Sequence, residues 1–229
     1  QFETDCGTTY PDICHLVDLG PTFNSTRPHR LYAIRISDNP SLDEDEPEVL
    51  LTSSIHGDET VGAMLLLHLI DELLRNYDPG SIEPVKQEIT ALVDGLEIWI
   101  NPFANPDGTY YSSDAGVSGA IRYATNANGT NSWVDMNRSF PDPVEGLYPS
   151  GAWRLEVQTM MAFASVRHFA LSANLIFLMM STMHLPIEAS WIWLLASSTI
   201  TSCATPLGSI FQVMTRSPST PGWAFAPSS

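Results

Sequence analysis

The octapeptide Ser53-Ser54-Ile55-His56-Gly57-Asp58-Glu59-Thr60 marks the point where a predicted strand ends and a predicted helix begins. The apolar run 49–51 leads into it, and the amphipathic run 63–75 follows it. The carboxyl end of a strand is the usual place for chemistry in an open α/β sheet. An imidazole and a carboxylate three residues apart, here His56 and Glu59, can bind one zinc ion together. The same spacing occurs by chance in many chains, so its meaning depends on the residues that follow.

The composition indicates a globular protein and argues against two classes of partner. The chain has 229 residues, of which 44% are hydrophobic, and this suits one sizeable core. Its formal net charge of −16 should repel nucleic acid and anionic membrane surfaces, so neither is expected as a partner. No membrane span is expected either, because no uninterrupted apolar run reaches about 18 residues. The nearest candidate, 175–195, is interrupted by His184, Pro186 and Glu188.

The first thirty residues are rich in turn formers and are predicted to form an irregular lead-in. Cys6 and Cys14 lie close together in this segment, and two interpretations stay open. They form a local disulfide in an oxidising compartment, or they are two unrelated free thiols. The chain begins with Gln1 rather than Met and shows no secretory leader. We expect an extracellular or secreted location.

Strand and helix patterns alternate along the next part of the chain. Alternating or continuous apolar residues predict strands at 31–36, from 49, at 96–100 and at 168–174. Helical spacing predicts helices at 63–75, 83–93 and 153–167. This order predicts the α/β class, with a mixed, mainly parallel sheet flanked by helices. The long irregular stretch 110–149 is of the kind that usually carries function.

The first predicted helix has an apolar stripe that is expected to face the core. The stripe consists of Met64, Leu67, Ile70 and Leu74. His68 lies beside the stripe and is interpreted as a packed or surface histidine, not as a metal ligand.

Five short motifs stand in order along the chain, and together they resemble the M14 family of zinc carboxypeptidases. The similarity is greatest to the branch that contains carboxypeptidases N, E, D and M, and it covers residues 31–175. The motifs are His56-Gly57-Asp58-Glu59, Asn105-Pro106-Asp107-Gly108, Asn126-Ala127-Asn128-Gly129, Asp135-Met136-Asn137-Arg138-Ser139-Phe140-Pro141 and Leu171-Ser172-Ala173-Asn174-Leu175.

The resemblance implies a Zn²⁺ cofactor and a role for each site residue. His56 and Glu59 would be two of three zinc ligands, and Arg122 would polarise the carbonyl of the scissile bond. Asn137 and Arg138 would hold the terminal carboxylate of a peptide or protein substrate. Guanidinium groups suit these roles because they form bidentate, charge-assisted bonds with carboxylates and stabilise developing oxyanions. The alternatives are that Arg122 is a surface arginine and that Asn137 and Arg138 only pin the long loop.

Two acidic residues of the motifs, Asp58 and Asp107, are not expected to bind the metal directly. Asp58 should point away from the metal, because adjacent residues at a strand end face opposite ways. Asp107 should be structural, either holding its turn or accepting a hydrogen bond from a ligand histidine.

The resemblance breaks down after residue 175. Ile176 stands where the family has its third zinc-binding histidine. His168 lies eight residues earlier on the same predicted strand, roughly 26 Å away, and cannot replace it. His184 is a weak substitute, and nothing around Glu188 resembles the family's catalytic glutamate.

Charge is also lost at this point of the chain. Beyond residue 169 the only charged residues are Glu188 and Arg216, against a total of ten basic and 26 acidic residues. We therefore divide the chain into 1–175, the N-terminal part of a carboxypeptidase catalytic domain, and 176–229, a divergent low-charge tail for which a native fold and its absence both stay open. A change of reading frame near Ile176 would explain this tail.

The predicted function is that of a zinc metallocarboxypeptidase that hydrolyses the C-terminal peptide bond, with impaired activity in this form. The competing hypothesis is an inactive carboxypeptidase-like protein that binds peptide C-termini. A third possibility is an unstable translation product without a function of its own.

Overall fold

A computed structural model describes residues 1–141 and 154–175, together with the backbone of 211–216 and 223–225. Within these residues there are seven strands, which form one sheet. They are β1 (Cys14–Pro21), β2 (Arg30–Ile36), β3 (Glu48–Ser53), β4 (Glu97–Asn101), β5 (Phe169–Leu175), β6 (Phe211–Arg216) and β7 (Trp223–Phe225).

Helices precede, join and flank these strands. No helix within the described residues is both long and apolar enough to cross a membrane. The helices are α1 (Phe2–Thr4), a π-helical turn (Asp5–Thr9), α2 (Val61–Asn76), α3 (Pro84–Val93), α4 (Pro106–Thr109), a 3₁₀ turn (Met136–Arg138) and α5 (Leu155–Ser165).

The sheet is mixed, as the sequence predicted, but among the described strands it is not mainly parallel. Its strand order is β1-β2-β4-β3-β5-β6-β7. Among the described strands there are two parallel pairs, β3 with β4 on one side and β3 with β5 on the other. The remaining pairs of described strands are antiparallel. No helix separates β1 from β2 or β2 from β3, whereas parallel neighbours need a crossover connection.

The N-terminal lead-in is more regular than predicted, because β1 lies within it and extends the sheet at one edge. Its register with β2 runs from Cys14 opposite Ile36 to Pro21 opposite Arg30. The structure also decides between the two interpretations of the cysteines, because Cys6 and Cys14 are joined by a disulfide. This bond attaches the helical start of the chain to the edge strand.

The larger core lies between one face of the sheet and helices α2 and α3. Strand residues such as Leu51 and Ile100 pack there against helix residues such as Ile70 and Val93. The predicted stripe on α2 is partly wrong, since Met64 is 63% exposed. The face that packs is instead formed by Gly62, Ala63, Leu66, Ile70, Leu73 and Leu74.

Gly62 explains why this stripe is displaced. An added Cβ atom at Gly62 would lie 2.7 Å from the carbonyl oxygen of Leu175 at the end of β5. Helix α2 therefore starts in close contact with the sheet, where only a very small residue fits. A pattern that counts large apolar residues does not detect such a contact.

The opposite face of the sheet carries a smaller core and a group of buried charges. Trp99 packs edge-on against Phe163 of α5, with ring centroids 5.2 Å apart. The guanidinium groups of Arg35 and Arg167 lie 5.2 and 4.5 Å from the centre of the Trp99 ring. Arg35 Nη2 also lies 2.6 Å from Glu97 Oε1, and the Glu97 side chain is 0% exposed. This pair joins adjacent strands, because Arg35 of β2 stands opposite Trp99 of β4.

The predicted tail, 176–229, lies outside the described residues except for two short strands. The backbone of β6 pairs with β5, and β7 pairs with β6. His184, Glu188 and Ile176 are not among the described residues. The proposed division at residue 175 and the state of the tail stay predictions.

Candidate metal centre

The fully buried strand β3 delivers the candidate metal ligands to its carboxyl end. Ser54 follows directly and turns the chain with a φ of +51°. Its hydroxyl donates to the carbonyl oxygen of Glu59, 3.1 Å away. The Glu59 amide in turn donates to the carbonyl of His56. This tight loop buries His56 and Glu59 and leaves Asp58 exposed.

Gly57 lets this loop approach two others. Its amide donates to the carbonyl oxygen of Arg122 at 3.3 Å. An added Cβ atom would lie 2.3 Å from the carbonyl carbon of Gly108 and 2.5 Å from the carbonyl oxygen of Ile121. These neighbours are backbone atoms, which cannot move aside as a flexible side chain can. Only glycine fits between the metal loop and the loop that carries Arg122.

We expect Gly57→Ala to lower the free energy of unfolding by about 1–3 kcal/mol or more, because the methyl group overpacks a backbone contact. Urea denaturation would measure the change. Gly116→Ala is the matched control, since an added Cβ atom there meets nothing within 4 Å. If the two variants had equal stability, the close contact at Gly57 would be contradicted.

The His56 and Glu59 side chains present two unpaired ligand atoms to each other. His56 Nδ1 lies 3.0 Å from Glu59 Oε2. Both atoms are buried. Although they are close, neither makes a hydrogen bond to the other or to any other described residue. Burying such atoms without a partner is costly, and a bound cation would remove that cost. Nitrogen and carboxylate oxygen are normal zinc ligands, so these two residues fit zinc.

Asp135 was not singled out from the sequence, yet it contacts the other side of the imidazole. Its Oδ1 lies 3.0 Å from His56 Nε2. Burial alone would raise the Asp135 pKa, but His56, the Asn137 amide and Arg122 together outweigh burial, and the pKa is lowered. Asp135 therefore favours a proton on Nε2, which leaves Nδ1 as the free ligand atom. The available signal was its place in the motif Asp135-Met136-Asn137.

Arg122 reaches the same cluster from the long loop. Its Nη1 lies 3.2 Å from Glu59 Oε1, and its Nη2 lies 3.3 Å from Asp135 Oδ2. The side chain is about one-third exposed (35%), so it is not simply a surface arginine. Asn105 helps to hold this loop by donating from Nδ2 to the carbonyl oxygen of Tyr123 at 3.2 Å.

Asn137 and Arg138 lie in the 3₁₀ turn that begins directly after Asp135. The Asp135 carboxylate caps this turn by accepting from the Asn137 amide at 2.9 Å. Arg138 is exposed. Among the described residues, the hydrogen bond recorded for its guanidinium runs from Nη1 to the carbonyl oxygen of Asn137 at 3.3 Å. Within the described part of the chain, no second partner of this guanidinium is seen.

Asp107 is a buried structural residue, and its histidine partner is His29 rather than His56. Asp107 Oδ1 lies 2.6 Å from His29 Nδ1, and this hydrogen bond raises the pKa of His29. Asp107 also accepts from the hydroxyls of Thr22 and Thr125. It therefore joins its turn to the N-terminal segment and to the long loop. Of the two predicted roles, the described contacts support holding the turn.

The sheet register confirms that His168 is far from the candidate site. Glu48 at the start of β3 pairs with Phe169, the residue after His168, and Ser53 at the end of β3 pairs with Leu175. His168 therefore lies at the opposite end of β3 from His56. Two groups of three clustered acidic side chains also occur in the described part of the chain, away from the candidate site. One consists of Asp38, Glu44 and Glu46, and the other of Asp43, Glu48 and Glu97.

Known proteins share this sequence pattern. A family model described as zinc carboxypeptidase matches residues 1–175. Carboxypeptidase D of Rattus norvegicus is 37% identical over 169 residues, which cover 72% of this chain and 11% of that protein. Carboxypeptidase M of Mus musculus is 35% identical over 177 residues, covering 76% of this chain and 36% of that protein. The chain thus spans well under half the length of these relatives.

Solved structures share the fold. Thrombin activatable fibrinolysis inhibitor aligns with a TM-score of 0.57 at 18% identity, covering 75% of this chain and 43% of that chain. Carboxypeptidase A from Helicoverpa armigera gives the same TM-score and identity, covering 76% and 43%. At this identity the likeness concerns the fold alone.

Proposed function

The chain belongs to the M14 family of zinc carboxypeptidases, and on that premise we propose that it removes the C-terminal residue of peptides or proteins with Zn²⁺ as cofactor. The observation that carries the proposal is the cluster of His56, Glu59, Asp135 and Arg122, in which Asp135 also caps the turn that carries the exposed Arg138. The cluster combines a cation-binding pair with the guanidinium group of Arg122, and the turn capped by Asp135 adds that of Arg138.

His56 Nδ1 and Glu59 Oε2 would hold the zinc, since they are adjacent, buried and otherwise unpaired. Zinc at such a site polarises a carbonyl group and lowers the pKa of bound water. Asp135 positions the imidazole through Nε2. The carboxylates of Glu59 and Asp135 hold Arg122 in place.

Two arginines account for recognition of a chain end. Arg122, next to the zinc ligands, would bind the carbonyl oxygen of the scissile bond and stabilise the negative charge that develops on it. Arg138, with Asn137, would bind the terminal carboxylate, for which a guanidinium fork is well matched. An enzyme that needs this carboxylate cleaves only the last bond.

We propose that hydrolysis by this chain is slow. Ile176 stands at the third ligand position and cannot bind a metal. A catalytic zinc site normally has three protein ligands, and water attack needs a base. The second candidate function, binding peptide C-termini without hydrolysis, is favoured by the same isoleucine together with the exposed Arg138.

Peptides that differ only at their C-terminus test the recognition step common to both functions. We expect a free-acid peptide to bind and its C-terminal amide to bind roughly 10- to 150-fold more weakly, which corresponds to about 1.5–3 kcal/mol for a charged hydrogen-bonded group. Arg138→Gln should remove this difference, because it removes the guanidinium. Isothermal titration calorimetry would measure the affinities.

Arg75→Gln is the matched control, because Arg75 is an exposed arginine on α2 that pairs with Asp71. It should retain the preference for the free acid. Equal affinity of the wild-type protein for the acid and the amide would contradict both candidate functions.

We further propose an extracellular or secreted location. The Cys6–Cys14 disulfide supports it, because such bonds persist in oxidising compartments. The net charge of −16 is consistent with peptide rather than nucleic-acid partners.

A further inference from the structure

A short hairpin rises from the candidate metal centre between Arg122 and Asp135. Thr125 and Asn131 form its bridge pair. The Ser132 amide donates to the carbonyl of Ala124, whereas the Ala124 amide donates to the carbonyl of Val134. Residues 132–134 therefore all lie opposite the single residue Ala124. This arrangement is a β-bulge with Trp133 at its centre. Bulges next to active sites commonly redirect a side chain.

The bulge holds Trp133 in an unusual and exposed position. Its φ is +60°, a strained left-handed conformation that bulky residues rarely adopt. Its side chain is 74% exposed, more than any other large aromatic residue that the structure describes. The Trp133 amide donates to Asn131 Oδ1 at 2.8 Å. Such strain is typical of positions where an exposed side chain has a function.

Trp133 is not isolated, because it packs on Tyr123. The ring centroids are 5.4 Å apart, with an interplanar angle of 55°. Tyr123 directly follows Arg122, and Trp133 lies two residues before Asp135. The ion pair between Arg122 Nη2 and Asp135 Oδ2, at 3.3 Å, closes the base of the hairpin. The aromatic pair therefore belongs to a hairpin whose base is closed by two residues of the zinc-binding cluster.

We propose that Tyr123 and Trp133 form a subsite for the side chain of the residue that precedes the C-terminal residue of the substrate, and that this subsite prefers an aromatic side chain. The proposal rests on the proposed function. Arg138 would hold the terminal carboxylate and Arg122 the carbonyl of the last peptide bond. That carbonyl belongs to the preceding residue, whose side chain would contact the rings next to Arg122.

The chemistry of the pair favours an aromatic occupant. Tyrosine and tryptophan offer large contact areas and lose little conformational freedom on binding. Here the rings already pack on each other, and the closed base of the hairpin holds them in place. An added aromatic ring gains about 0.5–1.5 kcal/mol beyond simple burial, which is roughly a 2- to 12-fold gain in affinity.

Two peptides test the subsite directly. Both are free acids in which a ketomethylene group replaces the last amide, so the carbonyl is kept but no C–N bond can be cleaved, and they differ only in having Phe or Ala before the C-terminal residue. We expect the zinc-loaded protein to bind the Phe peptide roughly 3- to 10-fold more tightly, measured by calorimetry. Trp133→Ala should bring the ratio of the two affinities close to one. Ile82→Ala, at another exposed apolar residue, should keep the ratio.

The outcomes separate this inference from the proposed function. If both peptides bind equally well and Trp133→Ala changes nothing, the subsite is overturned while recognition of the chain end stands. If neither peptide binds, the subsite is overturned together with the proposed function. Trp133-dependent binding to phosphatidylcholine vesicles, with equal affinities for the two peptides, would assign the exposed ring to a lipid surface and also overturn it.

Discussion

Replacing His56 with alanine should abolish zinc binding and, with it, any peptide hydrolysis. The variant would leave Glu59 as the remaining ligand of the buried pair, and one carboxylate oxygen does not make a zinc site. The loss should exceed the roughly 10- to 100-fold fall in metal affinity expected for Asp135→Asn, which only disturbs the position of the imidazole. Calorimetric titration with zinc would measure both variants.

His68→Ala is the matched control, because His68 is exposed on α2 and its nearest acidic partner, Glu72, is also exposed. Its zinc affinity should equal that of the wild-type protein. Undiminished zinc binding in His56→Ala would show that the metal is held elsewhere, and the assignment of the buried pair would then be wrong.

Replacing Glu97 with alanine should lower the free energy of unfolding by about 3–5 kcal/mol, a large part of the roughly 5–15 kcal/mol of a typical domain. Glu97 is the 2.6 Å partner of Arg35, whose side chain is only 5% exposed. Without Glu97 the Arg35 guanidinium would stay buried but would lose the carboxylate that offsets the cost of removing its charge from water. Urea denaturation followed by circular dichroism would measure the loss.

A double variant separates charge from volume at this site. Arg35→Met combined with Glu97→Met removes both charges and keeps most of the packing, so it should recover much of the lost stability. Glu83→Ala, at an exposed carboxylate, should change stability little. A loss below 1 kcal/mol in Glu97→Ala would contradict the importance of the buried pair.

The sequence predicted those parts of the fold that depend on local pattern. Strands β2 to β5 and helices α2, α3 and α5 all lie close to their predicted positions. Apolar periodicity sufficed there, because each of these elements buries one or both of its faces. His56 and Glu59 were identified because the buried strand β3 ends directly before them.

Contacts between distant parts of the chain could not be predicted in the same way. Strand β1 was missed because its weak alternation becomes a strand only through pairing with β2. Asp135 lies 79 residues after His56, and no local pattern shows that they touch. The exposed Trp133 depends on a bulge, and bulges leave little trace in apolar periodicity.

The family resemblance supplied the roles that local pattern could not. Asn137 and Arg138 were selected from a motif, and the described geometry adds that Asp135 caps their turn while contacting His56. One carboxylate thus connects the metal pair to the segment proposed to bind the chain end. The spacing of these residues along the chain gave no indication of this connection.

Mass spectrometry of a peptide incubated with the zinc-loaded protein tests the central claim most directly. The peptide is supplied as a free acid and as its C-terminal amide, and the same incubations are made with His56→Ala. We predict slow loss of a single C-terminal residue from the free acid, none from the amide, and none with the variant. Cleavage at internal bonds, or equal cleavage of acid and amide, would contradict the claim that this chain carries a carboxypeptidase site.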